Sequence, residues 1–575
     1  MAATLARWGL RIAVFLLPLV FLPNIVDEFV LPKLLLARVL IAISVVVLLV
    51  RWLRQGTVTW KRTPLDLPLL AFIGSAALST VFAINQNVAL FGTYDRWEGL
   101  LTILTYGLVF WLSVQLLPEE ADARGLTWSL LLSGYVVAAV AVLQSALGVL
   151  GGGYFHGANN IIRPDSTLAN PDFLGIFLAM LLPVAFAKVF SRRSFTTRVL
   201  ALNLLIVLFL GLLASFTRAA WIGALVGVVV VLVLRRGRFH VWPLVISAAV
   251  VVAGFVAIAV TQPSGVSGGI GPALIARIAS IADLKSGTQN ERLATWGDTL
   301  PLIASRPIVG YGPDTFGLVY PQFQNGNQHF VLWDKPHQDA LGVAASQGII
   351  GLIAYVWILV AFVRAFWTGR YRRGAVALFA GWVAYVVAIQ FDFSWIPTSL
   401  PFWLLAAAAI VTWTPEVQPI LVARFPRRIA VPVLAAGSVV LLALLIPAVV
   451  LPYLADADYY AVQAATDLGA ARASLDQARQ WAPYEATYAI EAGDFALNLD
   501  QNGVPRSNAD WSAARDAYQA AARLGSFSPE MFRALAGVDE HLGDHAGAVA
   551  AARRALELDR YDTKSQDLLK SLTGP

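Results

Sequence analysis

The sequence predicts an all-α fold: a polytopic bundle of transmembrane helices with a helical repeat region at its C-terminal end. Three observations predict it. Of 575 residues, 58% are hydrophobic and 14% charged, and the mean hydropathy is +0.67; a soluble domain carries roughly 45–50% apolar and about 25% charged residues. Apolar runs near the length that spans a bilayer recur about thirteen times. The chain from Ala455 onward is instead polar, alanine-rich and helical in period. A single soluble enzyme fold and intrinsic disorder are excluded.

The first run follows Arg7 and Arg11, as in a signal peptide, but it ends in Leu22, Pro23 and Asn24 with no small-residue cleavage site. It reads as an uncleaved first span over 9–25. Further spans are expected at 34–50, 65–84, 98–117, 126–148, 172–190, 199–217, 219–234, 241–260, 338–363, 374–392, 398–414 and 429–452. Alternate loops are rich in Lys and Arg: Arg51 to Arg62, Arg124, Lys188 to Arg198, Arg235 to Arg238, Arg364 to Arg373, and Arg424 to Arg428. The short loops between them hold only isolated cations, Lys33, Arg96, Arg163 and Arg218. The positive-inside rule places the basic set in the cytoplasm. An odd number of spans then puts the tail on the exoplasmic side. The net charge of +6 reflects these loops rather than nucleic-acid binding.

Two parts lie outside the spans. The loop 261–337 is Gly/Pro-rich from Pro263 to Pro272, helical around Asn290 to Ala304, and irregular from Pro307 to Pro336; loops of this length are usually functional. It belongs to a membrane body spanning 1–454. The tail, 455–575, resembles tetratricopeptide repeats. Leu535, Ala536, Ala548, Ala552 and Ala555 occupy that repeat's small and apolar positions, with Arg560 in place of the closing proline. Earlier copies run through Ala471, Leu475, Ala478 and Pro483, and through Ala514, Tyr518 and Ala521, interrupted by an insert at 501–510. Such a stack offers a concave face to a protein partner, or simply caps the body.

There is no cysteine, and the six histidines form no metal-ligand spacing. No metal or other cofactor is expected. The unusual polar residues gather on the side that the basic loops avoid: Arg96 in FGTYDRWEGLL, Arg163 in NNIIRPDSTLANPDFLG, Arg218 in SFTRAAW, Arg292 in ERLATWGDTLPLIASRPIVGYGPDTF, and His337 in DKPHQDALGVAASQGIIG. Each alone has a plain structural role. Arg96 beside Trp97 fits an interfacial anchor, Arg163 a partner for Asp165, and Arg218 a helix cap or a snorkelling cation. Together they suit a ligand with two or more phosphate charges, because guanidinium forks bind phosphate oxygens bidentately. His337, after Pro336 and at the start of a span, fits a proton acceptor near pH 7 or a backbone cap. Asp456-Ala457-Asp458 resembles a D-x-D metal motif but reads as a helix start.

These motifs resemble the O-antigen ligase and O-antigen polymerase superfamily. His337-Gln338, then nine residues, then Gly348-Ile349-Ile350-Gly351 is similar to its H-[NSQ]-x9-G-x-x-G signature. Arg292 and Trp296, then Pro307, Gly310, Gly312 and Phe316, resemble its R-x3-W and P-h-h-G-x-G-x3-F elements. RPDSTLANPDFLG and SFTRAAW resemble two further segments, and together these cover roughly 90–415. Gln338 stands where many members have Asn, and the repeat tail is an addition to the minimal architecture.

The resemblance implies a multi-pass enzyme of the bacterial inner membrane. It would transfer a glycan from a polyprenyl diphosphate to an acceptor hydroxyl on lipid, glycan or protein, with inversion and without a metal. Arg163, Arg218 and Arg292, with Arg96 as a fourth, would hold the diphosphate, and His337 would act as base. Gly310 and Gly312 would let the loop approach the glycan, with Gln338 nearby. Tyr311 would touch a sugar or serve packing. The resemblance leaves ligase, polymerase and protein glycosylation open. A transporter or flippase is the rival of another class, but transporters place polar groups at the bilayer midplane. Here they lie at one edge, Gln390 and Asp392 being the main exceptions. A scaffold anchored only for its repeats would not need so many spans.

Overall fold

In the computed structural model of the chain, residues 2–117, 119–147, 155–156, 162–189, 195–235, 288–325, 333–414, 419–424, 430–499, 505–526 and 528–574 are described. The membrane body contains α1 (Ala2–Leu16), α2 (Val30–Gln55), α3 (Asp66–Val81), the short α4 (Gln86–Phe91), α5 (Leu100–Leu116), α6 (Glu120–Leu147), α7 (Pro171–Val189), α8 (Phe195–Ala214) and α9 (Arg218–Leu234). It continues with α10 (Thr288–Ser305), the single turn α11 (Phe316–Val319), α12 (Asp339–Gly369), α13 (Ala375–Ile389), α14 (Ile396–Trp413) and α15 (Ala430–Leu445). Among the described residues, seven helices are long and apolar enough to cross a membrane, and four shorter ones, α3, α5, α9 and α13, are apolar along their length. The all-α polytopic fold is thus as the sequence predicts. The expected span 241–260, and the loop residues 261–287 and 326–332, lie outside the described residues.

The first span is displaced from its expected place. α1 ends at Leu16 and a turn follows, so 9–25 is not one helix. Pro18 disfavours helical backbone at Leu17 and has no N–H to continue the ladder, and Pro23 repeats the obstacle.

The core centres on α7, whose Leu174, Phe177 and Leu181 have no exposure, packed against α8, α9 and α13. Gly223 and Gly227 bring α9 onto the backbone of α13: a Cβ at Gly223 would stand 2.3 Å from the Ala384 carbonyl oxygen. This is the small-xxx-small packing that substitutes for hydrophobic drive between helices in lipid.

A π-turn at Ile446–Val450 leads α15 straight into α16 (Leu451–Ala464), so helix runs across 454–455. Asp456 is therefore inside a helix, not at its start, and is completely buried. Then follow α17 (Leu468–Trp481), α18 (Ala486–Leu497), α19 (Asn508–Arg523), α20 (Pro529–His541), α21 (His545–Leu558) and α22 (Thr563–Thr573). Successive helices pack in pairs through Ala514, Tyr518, Leu535, Ala536, Ala552 and Ala555. Asp467, Ser507, Ser528, Asp544 and Asp562 cap their N-termini. This tail rests on the body: Asn85 and Asn87 donate to the carbonyls of Gly525 (2.8 Å) and Tyr484 (2.6 Å). Phe91 also stacks on Tyr484 at 4.1 Å.

Candidate functional site

The polar motifs converge at one end of the bundle. Arg163 precedes α7 and reaches back to the turn between α8 and α9. Its Nε donates to the Ser215 carbonyl (3.0 Å), and its Nη2 donates to Asp172 Oδ1 (2.7 Å) and Thr217 Oγ1 (3.3 Å). RPDSTLANPD and SFTR are thus one structure. The partner of Arg163 is Asp172, not Asp165, which instead accepts from Gln144. Arg218, half-buried, opens α9 beside them.

Arg292 and Trp296 stand four residues apart on α10, on one helical face. Arg292 Nη1 donates to the Phe391 carbonyl (2.6 Å), and its Nη2 lies 3.7 Å from Asp392 Oδ2. Trp296 Nε1 donates to the Pro336 carbonyl (2.9 Å), fixing the residue before His337. His337 takes a positive φ of 51°, which is uncommon without a glycine and recurs at functional sites. Its Nδ1 lies 3.4 Å from Asp392 Oδ1. Trp333 and Phe393 meet its ring edge-on, at 4.7 and 5.0 Å.

Arg96 flanks the same group. It pairs with Asp334 and lies over Phe393 (5.4 Å) and Trp395 (4.8 Å). Phe173, next to Asp172, packs on both of those rings, joining the Arg163 group to the His337 group. Lys335, two residues before His337, donates to Asp314 (2.5 Å), and Asp314 accepts from Thr93 N (2.7 Å), tying three loops together.

Three buried polar atoms here have no hydrogen-bond partner: Arg292 Nε, His337 Nδ1 and Asp392 Oδ2. Buried polar atoms are nearly always paired, and these three sit on neighbouring side chains. Asp392 and Asp172 are the residues that the sequence reading did not assign. Asp172 sits within the RPDSTLANPD motif. Asp392 showed only as a polar residue at the end of a span.

Residues 202–356 match the family model described as O-Antigen ligase. Over that stretch the chain is similar to the O-antigen ligase family. Within the matched stretch lie Arg218, Arg292, the two glycine motifs and His337; Arg96, Arg163 and Asp392 lie outside it. No curated protein matches the chain. Among solved structures, the "Crystal structure of APC/C hetero-tetramer Cut9-Hcn1" is 13% identical over 83% of this chain and 92% of that chain. Its TM-score is 0.19, too low for a shared fold.

Within the matched stretch the glycine motifs make close contacts with the protein's own backbone. α12 breaks at Gly348 (φ 64°, ψ −162°). The amides of Ile349 and Ile350 turn to the carbonyls of Pro307 (2.8 Å) and Ile308 (3.5 Å). The carbonyls of Ala345 and Ser346, left without those amides, accept instead from Tyr311 N (3.0 Å) and Gly312 N (2.9 Å). A Cβ at Gly310 would meet Ser346 at 2.5 Å, and one at Gly312 would meet Ala83 at 2.6 Å. Both glycines permit close approach, but to protein. Tyr311 is buried, with its hydroxyl on Ser305 (2.6 Å) and Arg306 over its ring (4.9 Å), which is the packing role. Gln338 caps α12 through its side chain and donates to Gln390 (2.9 Å). In the structure these four residues make contacts with protein.

Proposed function

We propose that this chain is a membrane glycosyltransferase of the O-antigen ligase type. In this reading it moves a glycan from a polyprenyl diphosphate to an acceptor hydroxyl at the exoplasmic surface. The observation that carries the proposal is the joining of His337 and Arg292 through one buried carboxylate, Asp392, beside the Arg163 and Arg96 groups. α7, α9 and α12 start at this cluster and end at Lys188, Arg235 and Arg370, which agrees with a cytoplasmic basic side and an exoplasmic site.

Asp392 beside Nδ1 orients the imidazole, and Nε2 takes the proton of the acceptor hydroxyl. General-base help of this kind is worth about 10²–10⁴-fold. The oxygen attacks the anomeric carbon from the face opposite the diphosphate. As the anomeric C–O bond breaks, the electron pair and growing negative charge pass to the diphosphate, where Arg163, Arg218 and Arg292 bind it. Fixed cations act most strongly where charge develops.

The test supplies purified protein with a polyprenyl-diphosphate glycan, first alone and then with lipid or protein acceptors. His337→Ala is expected to abolish transfer in a folded protein. Arg218→Lys is expected to recover little, since an ammonium cannot replace the fork. Longer glycan from donor alone would indicate a polymerase, and product only on an added acceptor a ligase or protein glycosylation. Full activity of His337→Ala would refute the base assignment. An intact donor that does not bind would favour transport.

A further inference from the structure

Beside the His337 group opens a chamber of about 1130 Å³, above the roughly 300–1,000 Å³ of most ligand pockets. Trp333 and Trp395 form the wall nearest the reaction centre. Trp333 also touches the His337 ring, and Trp395 carries the Arg96 guanidinium, so the chamber and the base share a boundary. The rest of the lining mixes aromatic rings and aliphatic side chains such as Val26, Val140 and Leu318 with amides, hydroxyls and carboxylates.

Its charge is one-sided. Asp27, Glu28, Asp95, Asp165 and Asp334 line it, against Arg96 as the single cation among the described lining residues, and Arg96 is already paired with Asp334. Asp27 uses its oxygens on the amides of Val30 and Leu31 and the indole of Trp97. Asp165 accepts from Gln144. Glu28, half-buried, and Asp95, exposed, face the space with the least protein competition. Burial, with a smaller contribution from Asp95, pushes the Asp27 carboxyl up to about 7, so Asp27 adds little fixed charge near neutral pH.

A diphosphate is repelled by this lining. Sugar rings meet what they need: acceptors for hydroxyl protons and flat indole faces for their apolar sides. We infer that this chamber is a saccharide subsite that admits neutral or amino-bearing sugars and rejects sugars carrying carboxylates. The inference rests on the glycan-transfer reading above and adds the class of sugar. Selection here works by repulsion as well as attraction, the usual route to specificity. The occupant is the glycan of the donor or that of the acceptor; the chemistry is the same for both.

The experiment measures binding of three probes to the full-length detergent-purified protein: chitosan tetrasaccharide, chitotetraose and tetragalacturonate. The expected order is chitosan first, chitotetraose second, and tetragalacturonate at least about tenfold weaker at low ionic strength, with the gap shrinking as salt screens the carboxylates. The double variant Glu28→Gln/Asp95→Asn, checked for an unchanged unfolding temperature, should close most of that gap. Equal binding of tetragalacturonate, no binding of any probe, or a gap indifferent to the double variant would overturn the subsite. Transfer is assayed in parallel. Ranking lost with transfer intact refutes the subsite alone, whereas ranking kept with transfer absent refutes the transfer reading and not the charge selection. Inhibition by chitotetraose that is competitive with donor places the donor glycan in the chamber, and competition with acceptor places the acceptor there.

Discussion

At the scale of single residues, the site turns on Asp392. It follows α13 and returns to the start of α12, where His337 waits, so α12 and α13 form a hairpin that closes the carboxylate onto the imidazole. Arg292 Nη2 lies 3.7 Å from its other oxygen. A carboxylate that hydrogen-bonds one ring nitrogen sets which of the two faces the acceptor, and the 3.4 Å contact has to shorten for that. Asp392→Asn keeps the shape and removes the charge. It is expected to lower kcat by about 10²-fold or more with KM changed little, because the group acts on the base and not on bound substrate. A raised KM with unchanged kcat would mean that Asp392 serves binding instead. His337 and Arg292 were legible in the sequence because each sits in a compact motif with glycines or a tryptophan at fixed offsets. Asp392 was not, because its meaning arises only when a helical hairpin brings it back.

At the scale of the element, the broken helix α12 explains why two glycine motifs stand in this chain. A straight helix would bond Ile349 N to the Ala345 carbonyl and Ile350 N to the Ser346 carbonyl. The break at Gly348 releases all four groups, and the segment Pro307 to Gly312 takes them up. Unsatisfied backbone at membrane depth costs several kcal/mol per group, so the break and the segment require each other. The sequence displays both motifs, but spacing alone cannot say whether a glycine makes room for a ligand or for a neighbouring chain segment; at Gly310 and Gly312 the close approach is to protein. Gly348→Ala is expected to lose about 1–3 kcal/mol from its left-handed backbone alone, and more because the new Cβ would stand 2.2 Å from the Ile308 carbonyl oxygen. Thermal unfolding in detergent reads this out. Gly297→Ala, mid-helix in α10 with nothing within 4 Å, is the contrast and should be neutral or slightly stabilising. Equal effects at the two positions would mean that the break is not held by this pairing.

At the scale of the whole molecule, the repeats and the membrane body are joined at a buried carboxylate. Asp456, on the helix that continues the last span, accepts from Asp27 N (2.9 Å), from the Tyr94 hydroxyl and from the Tyr488 hydroxyl (3.4 Å). Those donors belong to the loop before α2, the loop that carries Arg96, and the repeat helix α18. Tyr94, Tyr459 and Tyr488 pack edge-on around it. The repeat pattern was readable from its small residues; this junction was not, since D-x-D looks the same at a helix start, in a metal site and in a buried hub. Asp456→Ala strands three buried donors, each costing about 1–3 kcal/mol, and frees the loop that positions Arg96. It should lower the unfolding temperature, open the boundary between body and repeats to limited proteolysis, and reduce transfer. Asp458 has a lesser duty, one bond from Trp481 Nε1 (2.9 Å), so Asp458→Ala should leave stability and cleavage near those of the parent protein. Were the pair a metal motif, both substitutions would abolish activity alike without loosening the junction, and that pattern would replace the hub with a metal site.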